Sequence, residues 1–267
     1  MRKGELVMKK FFAILMAALM VAAMFAGCGE AGTASDSNAI KIGMTGPLTG
    51  GAAEYGLAVE AGMEIAVEEI NAAAGADGLK IEFKSEDDEA DGEKAVSGYN
   101  ALMGWGMQFF AGTVTSGACN AVAPETVNDE IFLLTPSASA IEVATAGANT
   151  YQMCFTDPNQ GASAAEVIST NWPDAVIGVI YDSSDDYSTG LYQGFVSKAS
   201  EMGLDVVCET SFTKDTKSDL STQVTQCQDA GANLMFLPIY YSEASQILTY
   251  AAKIGYAPNF LDRKSVV

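Results

Sequence analysis

Six hydroxyl side chains fall in two short runs, Thr113, Thr115 and Ser116 in one and Thr135, Ser137 and Ser139 in the other. Both lie within the stretch FFAGTVTSGACNAVAPETVNDEIFLLTPSAS, Phe109 to Ser139. Each run follows an apolar segment that reads as a strand, and the pattern between them is helical, opened by Ser116-Gly117-Ala118. Two parallel strands so arranged deliver their hydroxyls to one sheet edge, and open α/β sheets bind ligands beyond the carboxyl ends of their strands. The bare amides at the start of the intervening helix suit a small anion such as a carboxylate. The chemistry on offer is therefore ligand capture. Ser116 and Ser137 would serve equally well as a helix cap and a turn former.

Composition limits the alternatives. With 267 residues, 49% of them hydrophobic, the chain can bury a substantial core in one or two domains. Its formal charge of −20, with only 14 Lys and Arg, argues against a nucleic-acid partner, because a polyanion is attracted by clustered cations. The absence of histidine removes Ser-His-Asp and Cys-His catalysis and the commonest metal ligand. Cys119, Cys154, Cys208 and Cys227 lack CxxC spacing, so no zinc or redox motif is present, and buried free thiols are the expectation. The acidic run Glu86 to Asp91 alternates like a calcium loop. Gly98 stands where the loop's bidentate Glu belongs, so the run reads as a solvated loop. Gly104-Trp105-Gly106 lacks the third glycine of a dinucleotide fingerprint, and no serine sits in a Gly-x-Ser-x-Gly elbow. No cofactor and no metal are expected.

The elements that must position the hydroxyls follow from periodicity. Short β-rich runs at 40–44, 79–83, 175–181, 206–209 and 234–238 alternate with helical patterns at 55–71, 92–102, 189–202, 219–230 and 243–254. This alternation is the sign of βαβ units and a mostly parallel sheet. The first helix carries Ala58, Ala61, Ile65, Ala66 and Ile70 on one face. The pattern restarts near Thr156-Asp157-Pro158, which divides the chain into a first lobe, 40–155, and a second, 156–261.

Ahead of the lobes, Met8-Lys9-Lys10 and the apolar run Phe11 to Phe25 read as a secretory signal, with Met8 as the expected start. Residues 1–28 then comprise the signal and Cys28. Ala26-Gly27-Cys28 resembles the lipobox of bacterial lipoproteins, which implies lipidation of Cys28, although Phe25 stands where Leu is usual. Residues 29–39, small and polar, read as a flexible tether spanning on the order of 20 Å.

KIGMTGPLTGGAAEYG (Lys41 to Gly56), the helix EAGMEIAVEEINAAAG after it and LLTPSAS later resemble the solute-binding proteins of branched-chain amino-acid ABC transporters. These are the Leu/Ile/Val-binding group of type I periplasmic binding proteins, and the likeness covers Ile40 to Leu261. It implies an α/β fold in which two lobes, each a mostly parallel sheet flanked by helices, close over a free amino acid. Residue by residue, it implies that Tyr55 helps cover the ligand and that the Ser116 hydroxyl and neighbouring amides take the carboxylate. The Ser137 carbonyl would receive the α-ammonium, and the Ser139 hydroxyl would bind the same head group. Tyr187 and Tyr240 would close over the ligand from the second lobe, with the register around Tyr187 open by one residue.

The resemblance further implies an exported, lipid-anchored monomer that hands a small, branched-chain aliphatic amino acid to an ABC permease, its only membrane contact being the lipid. Alternatives are an amide, an aromatic acid or another amino acid bound by the same fold in a sensor, and, from another class, an extracellular hydrolase working with a Lys or carboxylate base. The family's chain continues beyond Leu261, so both lobes are expected to be incomplete here. Residues 262–267, DRKSVV, read as a non-native tail of the kind a sequencing adapter encodes.

Overall fold

The structure, a computed structural model, describes residues 39–75 and 78–262. The expected signal, Cys28, almost all of the expected tether and residues 263–267 lie outside the described residues.

The predicted alternation folds into two parallel sheets. The first contains β1 (Ala39–Gly46), β2 (Lys80–Asp87), β3 (Phe109–Phe110), β4 (Phe132–Thr135) and β5 (Thr150–Gln152), in the order β2-β1-β3-β4-β5. Ile42 pairs with Phe109, Phe109 with Phe132 and Leu133 with Thr150, each pair parallel. The second contains β6 (Val176–Asp182), β7 (Asp205–Phe212), β8 (Leu234–Leu237) and β9 (Asn259–Asp262), in the order β7-β6-β8-β9. Its central strand β8, LMFL, is buried at every position, as a parallel strand covered by helices on both faces must be.

Helices α1 (Ala53–Ala74), α2 (Gly92–Trp105), α3 (Ser116–Asn128) and α4 (Ile141–Thr145) accompany the first sheet, and α5 (Asp157–Asn171), α6 (Asp186–Met202), α7 (Ser221–Asp229) and α8 (Tyr241–Lys253) the second. The core of the first sheet gathers Tyr99 and Leu102 of α2, Val122 of α3, and Phe110 and Leu133 of the strands. The Tyr99 and Phe110 rings meet edge to face at 5.3 Å. Alternation along β3 sends Phe109 to the opposite face, where Phe109, Phe132 and Tyr151 form an exposed aromatic row. On the second sheet, α5 and α6 pack with Phe195, Phe236 and Ile177, while α7 and α8 pack with Ile180, Met235 and Leu237.

Several features depart from the sequence reading. Periodicity gave no sign of α4, α5, β5 or β9, all short or, in α5, rich in small and polar residues whose packing rather than patterning makes the helix. Helix α6 begins at Asp186, three residues before the predicted start, because Asp185 caps it through the Ser188 amide. The apolar face predicted for α1 is not buried: Gly56 alone is, while Ile65 and Ile70 stand exposed. Of the four cysteines expected to be buried, Cys119 and Cys227 are, and Cys154 and Cys208 are partly exposed.

The acidic run has an architectural task. Asp87 accepts from the amides of Leu48, Thr49 and Glu89 and from the Thr49 hydroxyl, holding the loop after β1, while Asp91 caps α2 through the amides of Glu93 and Lys94.

Candidate functional site

Parallel pairing of β3 with β4 carries the two hydroxyl runs to one sheet edge, where they lace the loops together. The Thr135 hydroxyl donates to the Thr113 carbonyl at 2.5 Å, and the Ser137 hydroxyl to the Val114 carbonyl at 2.7 Å. Ser116, buried in the first turn of α3, accepts the amides of Ser139 and Ala140 on its Oγ, each at 3.1 Å. Its own O–H is then the donor left to point elsewhere.

Ser116 is not the cap that its position suggested. The cap residue of α3 is Thr115, in an extended conformation, and its side chain makes no capping bond. The buried Thr115 Oγ1 and the buried Ser139 Oγ both lack a hydrogen-bond partner among the described residues. A Cβ on Gly117, the second residue of the helix, would meet nothing within 4 Å. An uncapped helix start, open space beside it and two unspent hydroxyls thus occur together.

Tyr55, Val114, Thr115, Ser116, Ser137, Ser139, Tyr187 and Tyr240 line one cleft. The structure brings all six predicted ligand-contacting residues to it. The tyrosines come from three elements. Tyr55 stands in the first turn of α1, Tyr187 in the first turn of α6, and Tyr240 at the N-cap of α8. Tyr187 stacks on Tyr240 at 5.1 Å, and the Tyr55 ring lies 5.7 Å from Tyr240 and 5.4 Å from Tyr241. Ser188 fixes this side: its Oγ accepts the Asp182 amide and donates to the Pro238 carbonyl, tying the end of β6 to the end of β8 just before Tyr240.

Sequence reasoning left Val114 and Thr115 off the list of contacts. Thr115 carried a readable signal, a hydroxyl directly ahead of a helix, but whether it caps or faces the cleft depends on its rotamer. The bridge from the Asn120 amide to the Asp186 carboxylate, 2.8 Å between α3 and α6, was invisible for want of a pattern joining residues so far apart. Asp262 lies beside Tyr241, Leu237 and Ser245, away from the hydroxyls, and among the described residues no carboxylate lines the cleft. Nearby, burial pushes Asp185 up to about 7, helped by Asp182, Asp186 and Asp157 and opposed by the Ser188 amide.

Two parallel α/β sheets with a hydroxyl-lined, aromatic-covered cleft at their strand ends have the architecture of a two-lobed binding protein. Residues 39–262 match the model of the periplasmic binding protein family, and the chain belongs to that family. It is 33% identical over 205 residues to the Leu/Ile/Val-binding protein homolog 3 of Brucella melitensis, covering 76% of this chain and 55% of that one. With the leucine-, isoleucine-, valine-, threonine- and alanine-binding protein of Pseudomonas aeruginosa it shares 29% identity over 250 residues, covering 91% and 66%. Among solved structures, the substrate-binding protein LivJ of the Streptococcus pneumoniae branched-chain amino-acid transporter, in complex with isoleucine, superposes with a TM-score of 0.76 at 27% identity. That match covers 84% of this chain and 64% of LivJ. The chain thus spans between about half and two thirds of the length of these relatives.

Proposed function

We propose that this protein is an extracytoplasmic solute-binding protein that captures a small amino acid, branched-chain and aliphatic, in the cleft between its two sheets and delivers it to an ABC importer. The observation that carries this reading is the pair of buried hydroxyls, Thr115 Oγ1 and Ser139 Oγ, without a partner among the described residues and beside the uncapped start of α3. A buried hydroxyl without a partner costs on the order of 1–3 kcal/mol, which a bound polar head group would recover. The ligand carboxylate would sit at the first amides of α3, taking the Ser116 O–H, with its charge favoured by the helix dipole. Ser139 would bind the same head group, and the Ser137 carbonyl would receive the α-ammonium. Tyr55, Tyr187 and Tyr240, with Val114, would enclose the aliphatic side chain. The kinship with Leu/Ile/Val-binding proteins supports this ligand class. Attachment to the membrane would run through lipid on Cys28. Among the described residues no helix is long and apolar enough to cross a membrane.

Tyrosine fluorescence and calorimetric titration with leucine, isoleucine, valine, glutamine and 4-hydroxybenzoate test the reading. Saturable binding confined to the aliphatic amino acids is the expected result. Binding of the aromatic acid alone would move the protein to another ligand class within the fold, and binding of none would remove the cleft from consideration.

A further inference from the structure

Two thiols far apart in the sequence meet in the second sheet. Cys208, on β7, and Cys227, on α7, bring their Sγ atoms to 2.8 Å, Cys227 donating its S–H to Cys208. The meeting is built into the packing. Cys208 pairs in register with Gly178 of β6, and a Cβ at Gly178 would stand 3.1 Å from the Cys227 Cβ and 2.8 Å from the Met235 Sδ. The missing side chain at Gly178 gives the helix room to lower Cys227 onto the sheet beside Cys208. Cys227 is fully buried, Cys208 partly exposed, so one thiol faces an incoming reagent and the other waits behind it.

We propose that Cys208 and Cys227 form a disulfide that staples α7 to β7 once the chain has left the cytoplasm. The family's setting outside the cytoplasm supplies an oxidant of the required class, a protein or small-molecule disulfide. The Cys208 thiolate attacks one sulfur of that oxidant, whose S–S bond breaks and releases a first thiol. Cys227 then gives up its proton and attacks the Cys208 sulfur of the mixed disulfide, forming the protein S–S bond and expelling the second thiol. Two protons leave the protein and its two electrons end on the oxidant, now reduced to two thiols. Burial and the neighbouring Cys208 raise the Cys227 thiol well above its ordinary range, so the second step is fastest while the chain is still folding and α7 is not yet seated. Cys119, in the core of the first sheet, and Cys154, which donates to the Ala138 carbonyl, are placed apart from this pair.

The test uses the full chain, refolded in a glutathione/glutathione-disulfide buffer, alkylated under denaturing conditions and digested with trypsin. Cys208 and Cys227 fall in different tryptic peptides, residues 199–214 and 218–253. The expected product joins those two peptides, two hydrogens lighter than their sum, and disappears in Cys208→Ser and Cys227→Ser. Closing this loop should lower the unfolding equilibrium constant on the order of a hundredfold relative to the reduced protein in urea titrations. Alkylation of both thiols in the oxidising buffer, or linkage of either to Cys119 or Cys154, would overturn the proposal. The mapping is read on wild type, so it stands even where a serine variant fails to fold, and it does not depend on whether any amino acid binds in the cleft.

Discussion

At the scale of single residues, Ser116 is not the helix cap that the sequence offered as its structural role but a bracket for the loop that follows β4. Its Oγ accepts the amides of Ser139 and Ala140, shaping the loop after β4, and its O–H remains to face the cleft. Ser116→Ala should therefore weaken amino-acid binding ten- to a hundredfold, the worth of a hydrogen bond to a charged partner, and also cost some stability by stranding two amides. Calorimetry and urea unfolding read the two losses separately, and unchanged affinity would take Ser116 out of the head-group site. Asp88 presents a different residue-level test. It is fully buried in the loop joining β2 to α2, and burial pushes its carboxyl up to about 6, against the pull of the Ala90 amide and the Thr45 side chain and with Asp87 and Asp91 adding repulsion. A carboxyl raised above its unfolded value near 3.8 binds its proton more tightly in the folded state. Its contribution to stability is complete below about pH 4 and is lost as pH rises through about 6. Comparing urea midpoints at pH 4.5 and 7.5, Asp88→Asn should lose this part of the pH dependence. An equal slope in wild type and variant would place the acid response elsewhere.

At the scale of elements, α5 and α6 approach each other backbone to backbone. A Cβ on Gly161 would stand 2.2 Å from the Leu191 carbonyl oxygen, and one on Gly194 2.5 Å from that of Pro158. Backbone cannot yield as a side-chain tip would. Gly161→Ala should destabilise the fold by ~1–3 kcal/mol, measured by denaturant titration, even though alanine is the better helix former. Between the sheets, the bond from Asn120 to Asp186 joins α3 to α6, the two helices whose first turns carry Ser116 and Tyr187. Asn120→Ala removes a contact that joins the two sides directly. It should weaken ligand binding roughly two- to tenfold and leave the urea midpoint nearly unchanged, since a single partly exposed hydrogen bond to a carboxylate is worth no more. A large loss of stability with normal affinity would assign that bond to folding instead of closure.

At the scale of the whole molecule, two apolar surfaces stand open to solvent. The row Phe109, Phe132 and Tyr151 crosses one face of the first sheet, and Leu57, Ile65 and Ile70 are exposed along α1. Surfaces of this kind associate unless something holds molecules apart, and a net charge of −20 opposes such association. Repulsion of that sort is screened by salt, the Debye length falling from about 30 Å at 0.01 M to about 3 Å at 1 M. Sedimentation should show one small species at low ionic strength and growing association at high ionic strength. Phe132→Thr should reduce both that association and the uptake of an apolar dye. Salt-independent sedimentation without dye binding would mean that these residues are covered.

Local chemistry alone settled much of this protein. The alternation of short apolar runs with helical patterns specifies parallel α/β sheets, because strand and helix periods differ and parallel strands need crossovers. The hydroxyl runs after Phe110 and Leu134 announced a polar sheet edge, and the motifs around Lys41 to Gly56 and Leu133 to Ser139 pointed to the family. Only the fold decided what those side chains do once there. Nothing local shows that Thr115 leaves α3 uncapped, that Ser116 spends its lone pairs on residues 139 and 140, or that Tyr240 stacks on Tyr187. The same holds for α1, whose apolar periodicity is genuine although its face lies bare, since a sequence records that a surface wants covering and not what stands against it. It holds for Cys208 and Cys227 as well, read as separate thiols until β7 and α7 set them against one another over Gly178. Periodicity reports contacts a few residues apart. A contact across nineteen residues or sixty depends on how strands pair and helices seat, and that is decided when the core closes.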